Sequence, residues 1–106
     1  MELLPIISPK GNLIVVGLDE IVAIVVQNDD IEIRTRNRKG RPLRNLNEYE
    51  KFFMPFGFEK ASKSAIVSID KIWTFCEQNQ TLYFDKLQKV EGLKVSRRNI
   101  HKFKGF

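Results

Sequence analysis

Two short stretches carry the side chains needed to grip a polyanion. Lys60-Ala61-Ser62-Lys63-Ser64 places two ammonium groups and two hydroxyls within five residues, and Lys94-Val95-Ser96-Arg97-Arg98-Asn99 places three cations, a hydroxyl and an amide within six. Lysine offers a mobile point charge, whereas arginine offers a planar fork that bonds bidentately to phosphate or to guanine O6 and N7. Apolar residues hold each stretch. Phe58 precedes the first and Ala65, Ile66, Val67 and Ile69 follow it, while Val95, Ile100 and Phe103 sit in or behind the second. A cationic loop pinned on both sides by core-seeking side chains is held in place, and function is expected there.

The wider charge distribution points the same way. The 106-residue chain carries 18 Lys and Arg against 13 Asp and Glu, a net charge of +5. Arg34, Arg36, Arg38, Lys39, Arg41 and Arg44 fall in one acid-free segment, and Lys94, Arg97, Arg98, Lys102 and Lys104 in another, so eleven of the eighteen cations are clustered. Clustering of this kind is an electrostatic footprint for a polyanion. Two solvated faces explain the same charges without a ligand.

Catalytic and metal readings find little support. One cysteine, Cys76, and one histidine, His101, exclude an internal disulfide and the usual four-ligand structural zinc. His101 has no partner at triad spacing. Asp19, Glu32 and Arg34 faintly match the spaced acids and Glu-x-Lys of metal-dependent nucleases, but arginine cannot exchange a proton near neutral pH. No metal, cofactor or enzymatic activity is expected. The low cysteine usage and the absence of a long apolar run imply a cytoplasmic protein without a membrane span or leader.

The elements that must position the two loops read as mostly β, in one domain spanning residues 1–106. Residues 1–12 read as a lead-in. Leu13–Val16 suits a strand, Gly17–Glu20 breaks it, and Ile21–Gln27 is apolar almost throughout, as expected of a strand buried on both faces. Asn28-Asp29-Asp30 supplies a turn. The return strand alternates, with Ile31, Ile33 and Thr35 inward and Glu32, Arg34 and Arg36 outward, about 7 Å apart, a spacing adaptable to neighbouring phosphates.

Asn45 and Glu48 fit a capping box for a short helix that presents Leu46, Tyr49 and Phe53 on one face and stops at Pro55 and Gly57. These aromatics, with Phe52, Phe56 and Phe58, are expected to plug one end of the β core. Residues 69–76 and 81–84 read as a second hairpin contributing Trp73, Phe75, Tyr83 and Phe84, and residues 93–95 as a last strand. Ser96 reads as the N-cap of a short closing helix, so that Arg97 and Arg98 in its first turn add charge where the helix dipole is already positive. A phosphate would relieve that conflict.

The order of these features resembles the LytTR family of bacterial DNA-binding domains. The capped Leu46-Asn47-Glu48-Tyr49-Glu50 helix, the run Phe58-Glu59-Lys60-Ala61-Ser62-Lys63-Ser64-Ala65-Ile66-Val67 and the ending Val95-Ser96-Arg97-Arg98 carry the likeness, from about Leu13 to Phe103. The resemblance implies a mainly β fold of small antiparallel sheets, with one short internal helix and a short C-terminal one. It also implies a transcription regulator whose loops enter successive major grooves of double-stranded DNA at paired repeats. Lys63 and Arg98 then face base edges, with Arg98 the stronger reader. Lys60, Ser62, Ser64, Lys94, Ser96, Arg97 and Asn99 lie nearer the backbone, supported by Arg34, Arg36 and the turn at Asn28. Ser62, Lys63 and Ser68 stand where the family commonly has His, Asn or Arg, and Asn, so the preferred DNA sequence is the chain's own. Family precedent adds a receiver domain in the same or a longer chain and a dimer on DNA. With no receiver domain ahead of the β region, the chain is either part of a longer two-component response regulator or free-standing. Metal-dependent nuclease and a regulatory module whose basic surface meets an acidic protein are the alternatives.

Overall fold

The apolar run from Ile21 to Gln27 becomes the central strand of the molecule because both of its faces are covered. The computed structural model describes residues 3–28, 30–43 and 46–106, with the side chains at 46, 47 and 49 outside that description. Among the described residues ten strands, β1 (Leu3–Ile7), β2 (Leu13–Gly17), β3 (Ile21–Gln27), β4 (Asp30–Thr35), β5 (Lys39–Gly40), β6 (Phe58–Ser62), β7 (Ala65–Ser68), β8 (Thr74–Cys76), β9 (Thr81–Tyr83) and β10 (Leu93–Lys94), form three antiparallel sheets, joined by one α-helix, α1 (Leu46–Phe53). The five-stranded sheet has the order β5-β4-β3-β7-β6, the three-stranded sheet β10-β9-β8, and β1 pairs with β2 alone.

Side-chain alternation along β3 and β7, interrupted only by a register slip at Val22 that puts Val22 and Ala23 on one side, sends neighbouring residues into two separate cores. On one face Val22, Ala23, Ala65 and Val67 meet Phe75, Leu82, Phe84, Leu93, Val95 and Phe103 from the three-stranded sheet and the C-terminal segment. On the other Ile21, Ile24, Ile33 and Ile66 meet Ile6 and Val16 from the β1-β2 sheet together with Phe53 and Phe58. A strand lying between two layers needs apolar residues at every position, and Ile21–Ile24 are all buried.

Several expectations are revised. The lead-in contains β1, in which Pro5 lies opposite Val15; a strand with an unpaired edge tolerates proline because the missing N–H faces no ladder partner. Gly40 couples this small sheet to the large one. Ile7 and Arg41 exchange backbone hydrogen bonds at 2.8 and 2.7 Å beside it, and a Cβ on Gly40 would lie 2.7 Å from the Ile7 carbonyl oxygen. Residues 69–76 are not one strand. A 3-10 turn at Ile69–Lys71 carries the chain from the central sheet to the three-stranded one before β8 begins. Of the expected aromatic plug, Phe53 and Phe58 are buried with ring centroids 4.9 Å apart, while Phe52 and Phe56 are exposed. Trp73 is also exposed, Tyr83 is half-buried, and Phe75 and Phe84 are core. The capping residue Asn45, the cation Arg44 and the turn residue Asp29 lie outside the described residues.

Candidate nucleic-acid interface

The first basic loop is shaped by a slip in register. Lys60 pairs with Ile66 but Ser62 pairs with Ala65, which leaves Ala61 as an extra residue in β6. A bulge of this kind bends the strand and frees a backbone group from the ladder. Here the Ala61 side chain turns into the core, fully buried. Beyond it, Lys63 and Ser64 form an exposed tip. The Ser64 N–H donates to Ser62 Oγ at 3.1 Å, and the Val26 N–H donates to the Ser64 carbonyl at 2.7 Å, which ties the tip to the end of β3.

The second loop leaves β10 with Val95 buried and its N–H bonded to the Gln80 carbonyl at 2.8 Å. Ser96 is extended (φ −72°, ψ 156°) and precedes a six-residue 3-10 helix, Arg97–Lys102. The short closing helix is present as a 3-10 helix, but without the expected side-chain cap. The Ser96 hydroxyl makes no cap bond to backbone; it accepts from the Asn99 side-chain amide at 2.7 Å, while the Asn99 N–H donates to the Ser96 carbonyl at 2.9 Å. So short a 3-10 piece has few aligned peptides, and the argument from a helix dipole falls away. Buried Phe103 and half-buried Ile100 anchor the segment, with Arg97 and Arg98 exposed.

One hydrogen bond joins the two loops. The Ser96 N–H donates to the Ala61 carbonyl at 2.9 Å, so the backbone group freed by the bulge is satisfied by the other loop. Lys63 and Arg98 each lie two residues from this bond, which limits their Cα separation to about 22 Å. A second link, Lys102 Nζ to Glu59 Oε1 at 3.3 Å, reinforces the contact. Between the loops lies a depression of about 180 Å³, with Val25 and Gln27 of β3 in its floor, Ser62 and Ser64 on one side, and Glu91 and Lys94 on the other.

The cations fall into two groups. Lys63, Lys94, Arg97 and Arg98 are exposed and, among the described residues, form no ion pair. Their charge is available to a ligand. Lys60, by contrast, is half-buried and reaches Glu50 of α1 at 3.5 Å. Arg34 is not an outward-facing contact: its side chain is only 11% exposed, with Nε 2.6 Å from Glu32 Oε1 and Nη2 3.6 Å from Glu91 Oε2. Arg38 pairs with Glu20 at 3.0 Å. The Gly17 N–H and then the Arg38 guanidinium hold the Glu20 carboxyl below the usual carboxylate range. Arg36 is exposed and lies beside Asp85, whose carboxyl is held low chiefly by the N–H groups of Lys89 and Val90. Asn28 is exposed at the β3-β4 turn with φ +52°.

Gln27 and Glu91 were not visible from sequence as neighbours of the loops. Gln27 reads as the end of a strand, and nothing local announces that Glu91 meets Arg34 from 57 residues away. Asp19, Glu32 and Arg34 do not assemble into a nuclease-like site, since Glu32 lies opposite Val25, far along β3 from Asp19, and bonds Arg34. Among the described residues no group of three or more His, Cys, Asp and Glu could hold a metal ion, and no helix is long and apolar enough to cross a membrane.

Comparison with known proteins agrees with this geometry. A search of curated proteins gives no match. Among solved structures, the LytTr DNA-binding domain of a Bacillus cereus protein described as a methyl-accepting/DNA response regulator superposes with a TM-score of 0.79 at 19% identity, over 100% of this chain and 99% of that one. It shares the mostly β fold of three small antiparallel sheets and one short helix. The sequence model of the LytTr DNA-binding domain matches residues 11–106, nearly the whole length, and the chain therefore belongs to the LytTR family of DNA-binding domains.

Proposed function

We propose that this domain binds double-stranded DNA sequence-specifically and regulates transcription, with its two basic loops entering successive major grooves of paired repeats. Lys63 and Arg98 face base edges; Ser62, Ser64, Lys94, Ser96, Arg97 and Asn99 face the backbone or brace the loops. Lys60 and Arg34 act as supports, since Glu50 and Glu32 already engage them. The domain serves as a cytoplasmic output of a bacterial two-component system, joined to a receiver domain and acting as two copies on one site. The observation that carries the reading is the Ser96 N–H to Ala61 carbonyl bond, which couples two loops distant in sequence whose outer cations are unpaired.

Selection from a random DNA pool followed by sequencing tests it. A recovered pair of repeats one helical turn apart supports the reading, and recovery of no preferred sequence refutes it. Arg98→Ala should weaken binding to the recovered site by about 1–3 kcal/mol and relax preference at one base pair. An unchanged affinity and sequence preference would refute its role as a base reader.

A further inference from the structure

The depression between the loops does not end at Arg34 and Glu91. Those two residues also line a larger open groove of about 580 Å³ at the far end of β4, where Arg36, Arg38, Lys39 and Lys89 converge with the β1-β2 turn at Ser8 and Pro9. The two acids that line this groove, Glu32 and Glu91, have a partner already, as do the acids beside its arginines. Glu32 and Glu91 lie against Arg34, Glu20 pairs with Arg38, and Asp85 is held by backbone N–H groups beside Arg36. Lys39 and Lys89 are exposed and, among the described residues, in no ion pair. They come from segments 50 residues apart that the fold brings to one groove.

We infer that this groove holds the phosphodiester backbone of the duplex flanking the sequence read by the two loops, with Lys39 and Lys89 as its phosphate contacts. This rests on the DNA-binding reading above. The groove shares two lining residues with the interloop depression, so a backbone lying across the loops continues into it without leaving the surface. An open, shallow, cationic channel suits a strand of phosphates that must slide into register, and the two lysines supply charge without base discrimination.

The test uses the site recovered by selection, carried on a long duplex and on one trimmed to the repeats, titrated from 50 to 200 mM salt with the wild-type protein and the Lys39→Ala/Lys89→Ala variant. Two lost phosphate contacts should make the log–log salt slope on the long duplex shallower by about 1.8, so that over this range the wild type loses about 12-fold more affinity than the variant. On the trimmed duplex the two proteins should coincide. Equal slopes and affinities on the long duplex overturn the inference, and so does an equal difference on both duplexes, which would place the lysines within the repeats. If Arg98→Ala weakens binding while the double variant does not, only this inference fails. If neither does, Arg98 loses its role as a base reader as well; the DNA reading itself fails only where the selection recovers no preferred sequence.

Discussion

Replacing Ser96 with proline isolates the bond that couples the two loops. The Ser96 φ of −72° already fits a proline ring, and its N–H is used only toward the Ala61 carbonyl. The substitution therefore deletes one donor without changing φ, and the ring Cδ, standing where the hydrogen was, also pushes against the Ala61 carbonyl oxygen 2.9 Å from the nitrogen, so the two loops must part. Loss of that donor leaves the carbonyl of a buried residue without its partner, a cost of about 1–3 kcal/mol. Proline returns about 0.4–1 kcal/mol by restricting the unfolded chain. Both Ser96→Pro and Ser96→Ala lose the hydroxyl that Asn99 donates to, so the alanine variant is the reference. Between the two, proline should be the less stable by at least roughly 0.5–2 kcal/mol, the displaced carbonyl adding to the lost bond. Urea unfolding with an unchanged m-value measures the gap. DNA titration under conditions where both variants are folded should then show Ser96→Pro binding more weakly than Ser96→Ala, because the loops are no longer held at one spacing. Coincidence of the two variants in both stability and affinity would refute the idea that this bond sets the interface.

Two further outcomes follow from the fold. Gly40→Ala should destabilise by about 1–3 kcal/mol in urea unfolding, since the new methyl meets the Ile7 backbone carbonyl as well as a mobile Ile6 methyl; a change within measurement error would show that β1 can shift away from β5. The Asp85 carboxyl has its folded pKa depressed by the N–H groups of Lys89 and Val90, so its contribution is complete above the ordinary aspartate range near 4 and is lost as pH falls through the lower folded value. Unfolding midpoints followed from pH 5 to 2 should consequently fall more steeply for the wild type than for Asp85→Asn, and parallel curves would contradict the assignment.

Much of the scaffold is legible in the sequence because it follows from periodicity. The unbroken apolar run Ile21–Ile24 states that β3 has cover on both sides, and the alternation Ile31, Ile33, Thr35 gives the inward face of β4. The two loops stand out because their cations sit among residues that must be buried. What was illegible depends on distant partners. Arg34 reads as a solvent-facing cation until Glu91 is brought to it, and Ser96 reads as a helix cap until its hydroxyl is seen to face Asn99. Residues 1–12 read as a lead-in, yet β1 lies there and its edge position accepts Pro5. Phe52 and Phe56 read as core because helix spacing alone does not reveal that Phe53 and Phe58 fill the available space.

The division of the interior into two compartments has its own consequence. Ala61, Val95 and Phe103, which seat both loops, belong to the compartment beneath the three-stranded sheet, and none of them reaches the other. Substitutions around Ile6, Val16 and Ile33 are thus free to change how firmly the protein resists unfolding while leaving the spacing of its cations untouched. Drift in sequence can accumulate on that side of the central sheet without touching the residues that seat the two loops.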